Sequence, residues 1–209
     1  MIVDPETFDE DEAYRLMISA FVPRPIAFVS TRSPEGVDNC APFSFAMGVS
    51  SAPMVLAVSV GSRHGRPKDT ARNILETREF VVNLVTEDIA ERMNIASGDY
   101  APEVSEFDEA GLTRAPSLAI RAPRIAESPV NFECRLLQHV VVADNTVCFG
   151  AVVRMHVADE VLAGGLVDPR KLRALGRLGY KYYCRTTDVF EMVRPRVTGP
   201  KAARPTEAR

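Results

Sequence analysis

The residues best equipped for chemistry fall in one short stretch, Gly61-Ser62-Arg63-His64-Gly65-Arg66-Pro67-Lys68-Asp69-Thr70. Glycines and a proline keep it from continuing a strand. It gathers the cations Arg63, Arg66 and Lys68 with the hydroxyls of Ser62 and Thr70. If a helix opens at its end, that helix start adds unpaired backbone N–H groups and a partial positive charge. Cations, hydroxyls and helix N–H groups in one corner suit a phosphate. By themselves the same residue types also describe a capped helix end that faces water.

Two apolar runs must hold that corner. Met54 to Val60 is β-rich and bounded by Pro53 and Gly61, so it reads as a strand. Asp69 is a good N-cap, and Ala71, Ile74 and Leu75 repeat at helical spacing. Glu79 to Val85 then returns as a buried strand. Asn83 within it brings an amide into an apolar run, where it needs partners.

Composition narrows the class. The 209 residues carry a formal charge of −3, which gives no global attraction to nucleic acid or an anionic membrane. No apolar run approaches the roughly 20 residues of a membrane helix, and the acidic N-terminus does not read as a signal peptide. Cys40, Cys134, Cys148 and Cys184 form no short pairing motif and read as reduced core thiols of a cytoplasmic protein. His64, His139 and His156 have no cysteine or carboxylate at ligand spacing, so no metal site is expected.

Taken in order, the chain opens with a helix starting at Asp9 whose apolar face is Ala13, Tyr14, Met17, Ile18 and Phe21. Ile26 to Thr31 and Val37 to Pro42 form a hairpin through the Ser33-Pro34-Glu35-Gly36 turn. Phe43 to Val49 is apolar with small residues interspersed, which leaves room for something to approach closely. Thr86 is placed to cap a helix carrying Ile89, Ala90 and Met93. Ser97 to Pro123 is a loop-rich excursion with a helical piece around Phe107, and long ordered loops are often functional. Val130–Val142 and Val147–Val157 read as a second hairpin, Asp168 to Lys171 as a short helix and Tyr182–Val193 as a last strand. Residues 1–195 are expected to form a single domain, and the Pro/Arg-rich residues 196–209 a disordered tail. Hairpin-linked strands with few short helices argue for a mainly β, antiparallel barrel, and no G-x-G-x-x-G follows a strand.

Several stretches together resemble the flavin reductase-like, FMN-binding split-barrel family. They are Pro23 to Thr31, Asn39 to Phe45, Gly65 to Thr70 with Asn73, Phe80 to Asn83, and Gly176-Arg177-Leu178-Gly179. The resemblance implies an antiparallel split β-barrel, a homodimer and one FMN per chain near the dimer interface. Residue by residue, it implies that Arg24, Pro25 and Ala27 border the flavin, with Ser30 and Thr31 near its ring or ribityl chain. Asn39, Ala41, Ser44 and Phe45 would line the ring, with Asn83 nearby. Ser59, Arg63, Lys68 and Thr70 would hold the phosphate, and Arg177 would approach from the C-terminal segment. Met47 and Tyr180 stand where the family often has asparagine and glycine, which leaves the acceptor side of the pocket open.

No nucleophile, base and orienting residue form a visible set, as expected where a flavin carries the redox chemistry. The implied function is an FMN-dependent oxidoreductase that takes electrons from NADH or NADPH and passes them to free flavin or a partner monooxygenase. An FMN-binding electron carrier of the flavoredoxin type is the alternative. Ala41, Ser44, Ala46 and Gly48 would leave space for nicotinamide in the first case.

Overall fold

The computed structural model describes residues 2–63 and 65–196. Helix α1, Glu10–Ala20, starts where Asp9 accepts the Glu12 N–H at 3.0 Å. Strands β1 (Ala27–Arg32) and β2 (Asp38–Phe43) form the first hairpin, with Gly36 at φ +95° closing its turn. β3 (Ala46–Ser51) and β4 (Met54–Val60) form the next. Then come α2 (Asp69–Thr77) and β5 (Glu79–Leu84), α3 (Ala90–Ile95), and α4 (Glu106–Glu109) inside the excursion. The long strands β6 (Val130–Val142) and β7 (Asn145–Val157) follow, then α5 (Pro169–Leu172) and the short strands β8 (Leu175–Arg177) and β9 (Tyr183–Arg185).

Seven strands pair antiparallel in the order β2-β1-β5-β6-β7-β4-β3. The two edge strands are consecutive in the chain, with only Ser44 and Phe45 between them. The sheet must therefore roll until its edges meet at that link, yet among the described residues no ladder joins β2 to β3 and the roll stays open. Gly150 on β7 is required by this curvature, since a Cβ there would lie 2.3 Å from the Phe80 ring.

Strand alternation feeds two cores. Ala27 and Val29 face one way with Phe43, Val58, Phe80 and Cys148, and α2 adds Ala71 and Ile74. Ile26, Phe28 and Cys40 face the other way, where α3, α4 and the excursion cover them with Met93, Phe107 and Ile125. The corner is thus anchored through α2 in one core, and the excursion through Phe107 in the other.

Three expectations change. Asp69 is the first residue of α2 rather than its cap: Lys68 holds the cap position without a side-chain bond, and Asp69 pairs with Arg72 at 2.7 Å. Thr86 precedes a 3-10 turn, Glu87–Ile89, but its hydroxyl makes no capping bond. The last strand shrinks to Tyr183–Arg185, because only β8 offers it an edge; beyond it Phe190, Met192 and Val193 are exposed. The apolar face of α1 is not buried within the chain, with Tyr14, Met17 and Phe21 about half or more exposed. The expected tail lies outside the described residues from 197 onward.

Candidate functional site

A cleft of ≈ 530 Å³ opens between the corner and the excursion. Its floor is Asn39, Ala41, Pro42 and Phe43 of β2. One wall is Arg63, Arg66, Lys68, Asp69 and Thr70, and the other is Ser97, Gly98, Asp99, Tyr100 and Glu106. Its volume lies in the range of small-molecule sites.

The cations of the cleft divide by partner. Arg63 pairs with Asp99 across the mouth, and Arg72 with Asp69. Lys68 and Arg66 make no ion pair among the described residues and stand at the start of α2. Partial burial and the Arg63 cation hold the Lys68 ammonium below its ordinary pKa. A cation that is desolvated and repelled in this way gains from any anion that joins it.

Below the cations lies a polar network that the sequence reading did not find. Asn39 Oδ1 accepts from Thr70 Oγ1 at 2.9 Å and from Thr31 Oγ1 at 3.3 Å. Thr31 in turn accepts from Asn73 Nδ2 at 3.0 Å. Asn39 Nδ2 donates to Glu106 Oε1 at 2.7 Å, and the Cys40 N–H donates to Glu106 Oε2 at 3.1 Å. Glu106 is 7% exposed, and burial, with the Asp69 charge adding, outweighs its hydrogen bonds and raises its pKa. No local pattern marks Glu106, because its partners lie more than sixty residues away and meet it only when the excursion folds back.

Beside the cleft runs an apolar slot of ≈ 180 Å³, lined by Pro25, Ala27, Ala46, Met47, Gly48 and Phe132, among others. Ala27 pairs in register with Phe43, so slot and cleft share the β1–β2 surface. Of the expected site residues, Asn39, Ala41, Arg63, Lys68 and Thr70 meet in the cleft, and Pro25 and Ala27 in the slot.

Against this geometry, the family model described as "Flavin reductase like domain" matches residues 18–176. The chain belongs to the flavin reductase-like family. A protein of Aquifex aeolicus of uncharacterised function is 46% identical over 85% of this chain and 91% of its own length. Among solved structures, nitrilotriacetate monooxygenase component B from Bacillus cereus is 32% identical, with a TM-score of 0.88 over 92% of this chain and 98% of that one. The 2-nitrobenzoate 2-nitroreductase NbaA of Pseudomonas fluorescens is also 32% identical, with a TM-score of 0.86 over 97% and 100%. Flavoredoxin of Desulfovibrio vulgaris shares the fold, with a TM-score of 0.71 at 22% identity over 83% of this chain and 90% of that one.

Other family-implied residues are occupied elsewhere in this flavin reductase-like chain. Arg24 is 4% exposed; it donates from Nη1 to Ile18 O and Phe21 O at 2.6 and 2.8 Å, closing the end of α1, and from Nη2 to Leu178 O at 3.0 Å. Its Nε reaches Ser44 Oγ at 3.3 Å, and its guanidinium lies 5.8 Å from the Phe45 ring, so these three residues brace α1. Ser30 and Asn83 are sealed on the side of the second core. Ser30 donates to Pro123 O at 2.5 Å, and Asn83 bonds Phe28 O, Ser30 Oγ, the Ile125 N–H and Asn131 Nδ2. Every polar atom of these two side chains is satisfied by protein. Thr31 is fully buried behind Asn39, and Ser59 lies half-buried on β4, its N–H donated to Phe45 O at 2.8 Å. Arg177 stacks 4.6 Å from the Tyr183 ring and lines a separate groove with Asn94, Ser97 and Lys181. Ser97 is common to that groove and the cleft.

Among the described residues no group of His, Cys, Asp or Glu is arranged to hold a metal, and no helix is long and apolar enough to cross a membrane. The thiols of Cys40, Cys134 and Cys148 are buried and burial raises each of their pKa values, Cys134 to about 12 and Cys148 to about 11.

Proposed function

We propose that the protein is an FMN-binding oxidoreductase of the split-barrel type that accepts electrons from NADH or NADPH and delivers them to free flavin or a partner monooxygenase. The observation that carries this reading is the pair of unpartnered cations, Lys68 and Arg66, at the start of α2 in a cleft of ligand size. Their donor set fits a phosphate monoester, because helix N–H groups, an ammonium and a guanidinium all favour a dianion. The similar structure from Bacillus cereus is component B of a nitrilotriacetate monooxygenase, which supports a partner monooxygenase as the acceptor.

In this reading Lys68, Arg66 and the first turn of α2 hold the phosphate, with Thr70 and Asn39 below it. Bound FMN supplies hydride and single-electron chemistry. Pro25, Ala27, Ala46 and Gly48 keep the neighbouring slot free of bulk, so that a nicotinamide can stack on a flavin ring at roughly 3–3.5 Å. The exposed face of α1 (Tyr14, Met17, Phe21) and the exposed Val140, Val141 and Val142 at the end of β6 supply apolar surface that a second copy would cover. A homodimer is therefore part of the proposal.

Added FMN is expected to bind at about one per chain and to outbind riboflavin by several kcal/mol, since charge-assisted contacts contribute roughly 1.5–3 kcal/mol each. Lys68→Ala is expected to lose about 1–3 kcal/mol of FMN affinity with little change in stability, read by fluorescence titration. Excess NADH or NADPH without oxygen should bleach the flavin band, and Ala46→Trp should slow bleaching far more than it weakens FMN binding. Reduction by dithionite but by neither nucleotide would replace the reductase reading with that of an electron carrier.

A further inference from the structure

The network under Thr70 has a direction. Both oxygens of Glu106 accept, one from Asn39 Nδ2 and one from the Cys40 N–H. Asn39 is thereby forced to turn Oδ1 toward Thr70, and the Thr70 hydroxyl hydrogen is committed to it. In this state Thr70 offers the cleft only lone pairs, which repel a phosphate oxygen.

One proton on Glu106 lets the chain reverse through Asn39 to Thr70. A protonated Glu106 can donate to Asn39 Oδ1, so the amide turns over and Nδ2 donates to Thr70. The Thr70 hydrogen is then free to point into the cleft. Thr31 loses its acceptor on Asn39, and turning the Asn73 amide over gives the Thr31 hydrogen a new acceptor in Oδ1, with Nδ2 then taking the position that lacks a partner among the described residues.

We propose that Glu106 sets the hydrogen-bond polarity of the cleft: when a phosphate monoester binds, Glu106 takes up a proton from the solvent and Thr70 changes from acceptor to donor. The inference rests on the reading of this cleft as an FMN phosphate site. Glu106 acts through Asn39, so it is a positioning residue. The charges around it favour proton uptake. Asp69 on α2 raises its pKa in addition to burial, and no cation pairs with it among the described residues. On the excursion, Arg114 is tied to Asp38 at 2.9 Å and Asp108 at 2.7 Å, and the Cys40 thiol stays neutral. Lys68 and Arg63 stand across the cleft, where Lys68 is a second group able to gain a proton when an anion arrives.

Glu106→Gln separates the two groups, because glutamine copies the protonated acid: its Nε2 can donate to Asn39 while Oε1 accepts from Cys40. Calorimetric titration of the full chain with FMN, in buffers of different ionisation enthalpy from pH 6 to 8.5, counts the protons taken up. Wild type is expected to exceed Glu106→Gln by an amount approaching one proton per FMN at its maximum. The wild-type preference for FMN over riboflavin should fall by up to about tenfold per pH unit on the alkaline side. The variant should show a flatter profile and bind FMN at alkaline pH more tightly than wild type, the opposite of what loss of a structural prop would give. Equal proton uptake in both, or weaker FMN binding by the variant at every pH, overturns the inference. If Glu106→Gln does not fold, Lys68→Arg serves: uptake that persists there supports Glu106, and uptake that vanishes overturns it. A wild type with no preference for FMN over riboflavin overturns the phosphate reading itself, whereas a preference without linked protons overturns only this inference.

Discussion

Glu106 and Glu133 are both buried carboxylates that tie the excursion to the sheet, and they are solvated by the protein in opposite ways. Glu133 points from β6 to the excursion, accepting the Leu118 and Ala119 N–H groups at 2.8 and 2.7 Å and His156 Nε2 at 2.6 Å. Burial alone would raise its pKa, but the backbone donors and His156 together pull it below the ordinary value. Glu106 points from the excursion back to β2 with two donors, and its pKa is raised. The difference teaches that one further donor, carried by an imidazole, converts a proton acceptor into a fixed anion. Glu133 is a pin for the excursion, while Glu106, at the cleft, keeps its proton negotiable.

The largest expected effect is on stability. Glu133→Gln leaves a buried backbone N–H facing an amide N–H and strips the imidazole of its carboxylate. It should cost about 3 kcal/mol, the scale of breaking a buried pair. Glu106→Gln keeps two bonds and should stay within about 1 kcal/mol. Urea unfolding of both variants checks this, and equal costs would erase the distinction between pin and switch.

Neither carboxylate was legible in the sequence, because each is defined by partners that tertiary folding brings to it. The strands were legible where β-branched runs are bounded by turns, as in Met54–Val60, Glu79–Leu84 and the β6–β7 hairpin. The corner was legible because its cations and hydroxyls lie within one loop. Arg24 shows the opposite case. The resemblance placed it beside the flavin, and no local pattern announced the four hydrogen bonds to Ile18, Phe21, Ser44 and Leu178 by which it braces α1. Likewise the alternation in Tyr182–Val193 satisfies a strand pattern, but a strand also needs an edge, and within the chain β8 provides it only as far as Arg185.

A smaller effect appears in the pH dependence of stability. The folded pKa of Glu133 lies below its unfolded one, so its contribution is present above the ordinary carboxylate value and lost as pH falls through the folded value. For Glu106 the folded pKa lies above the unfolded one, so its contribution is present below the ordinary value and lost as pH rises through the folded value. Unfolding free energies of the flavin-free protein measured across both windows should therefore lose their acid-side slope in Glu133→Gln. In Glu106→Gln they should instead lose the slope that lies above the ordinary carboxylate range. Identical profiles for the two variants would contradict the opposed shifts.

The smallest effect is at Asp69, whose charge acts on Glu106 but not on Glu133. It is not a cap, since Lys68 occupies that position and makes no side-chain bond. Asp69→Asn therefore loses only the surface pair with Arg72 and part of a favourable charge at the helix start, together about 0.5 kcal/mol. A loss well above 1 kcal/mol in urea unfolding would mean that Asp69 caps α2 after all. The same substitution removes the charge that adds to burial in raising the Glu106 pKa. The pH at which FMN binding takes up its proton should then move toward acid, while the Glu133 window stays in place. Glu133 draws its shift from burial, Leu118, Ala119 and His156, none of which Asp69 supplies. A shift of both windows together would show that the substitution acts through the fold, and a shift of neither would remove Asp69 from the electrostatics of the cleft.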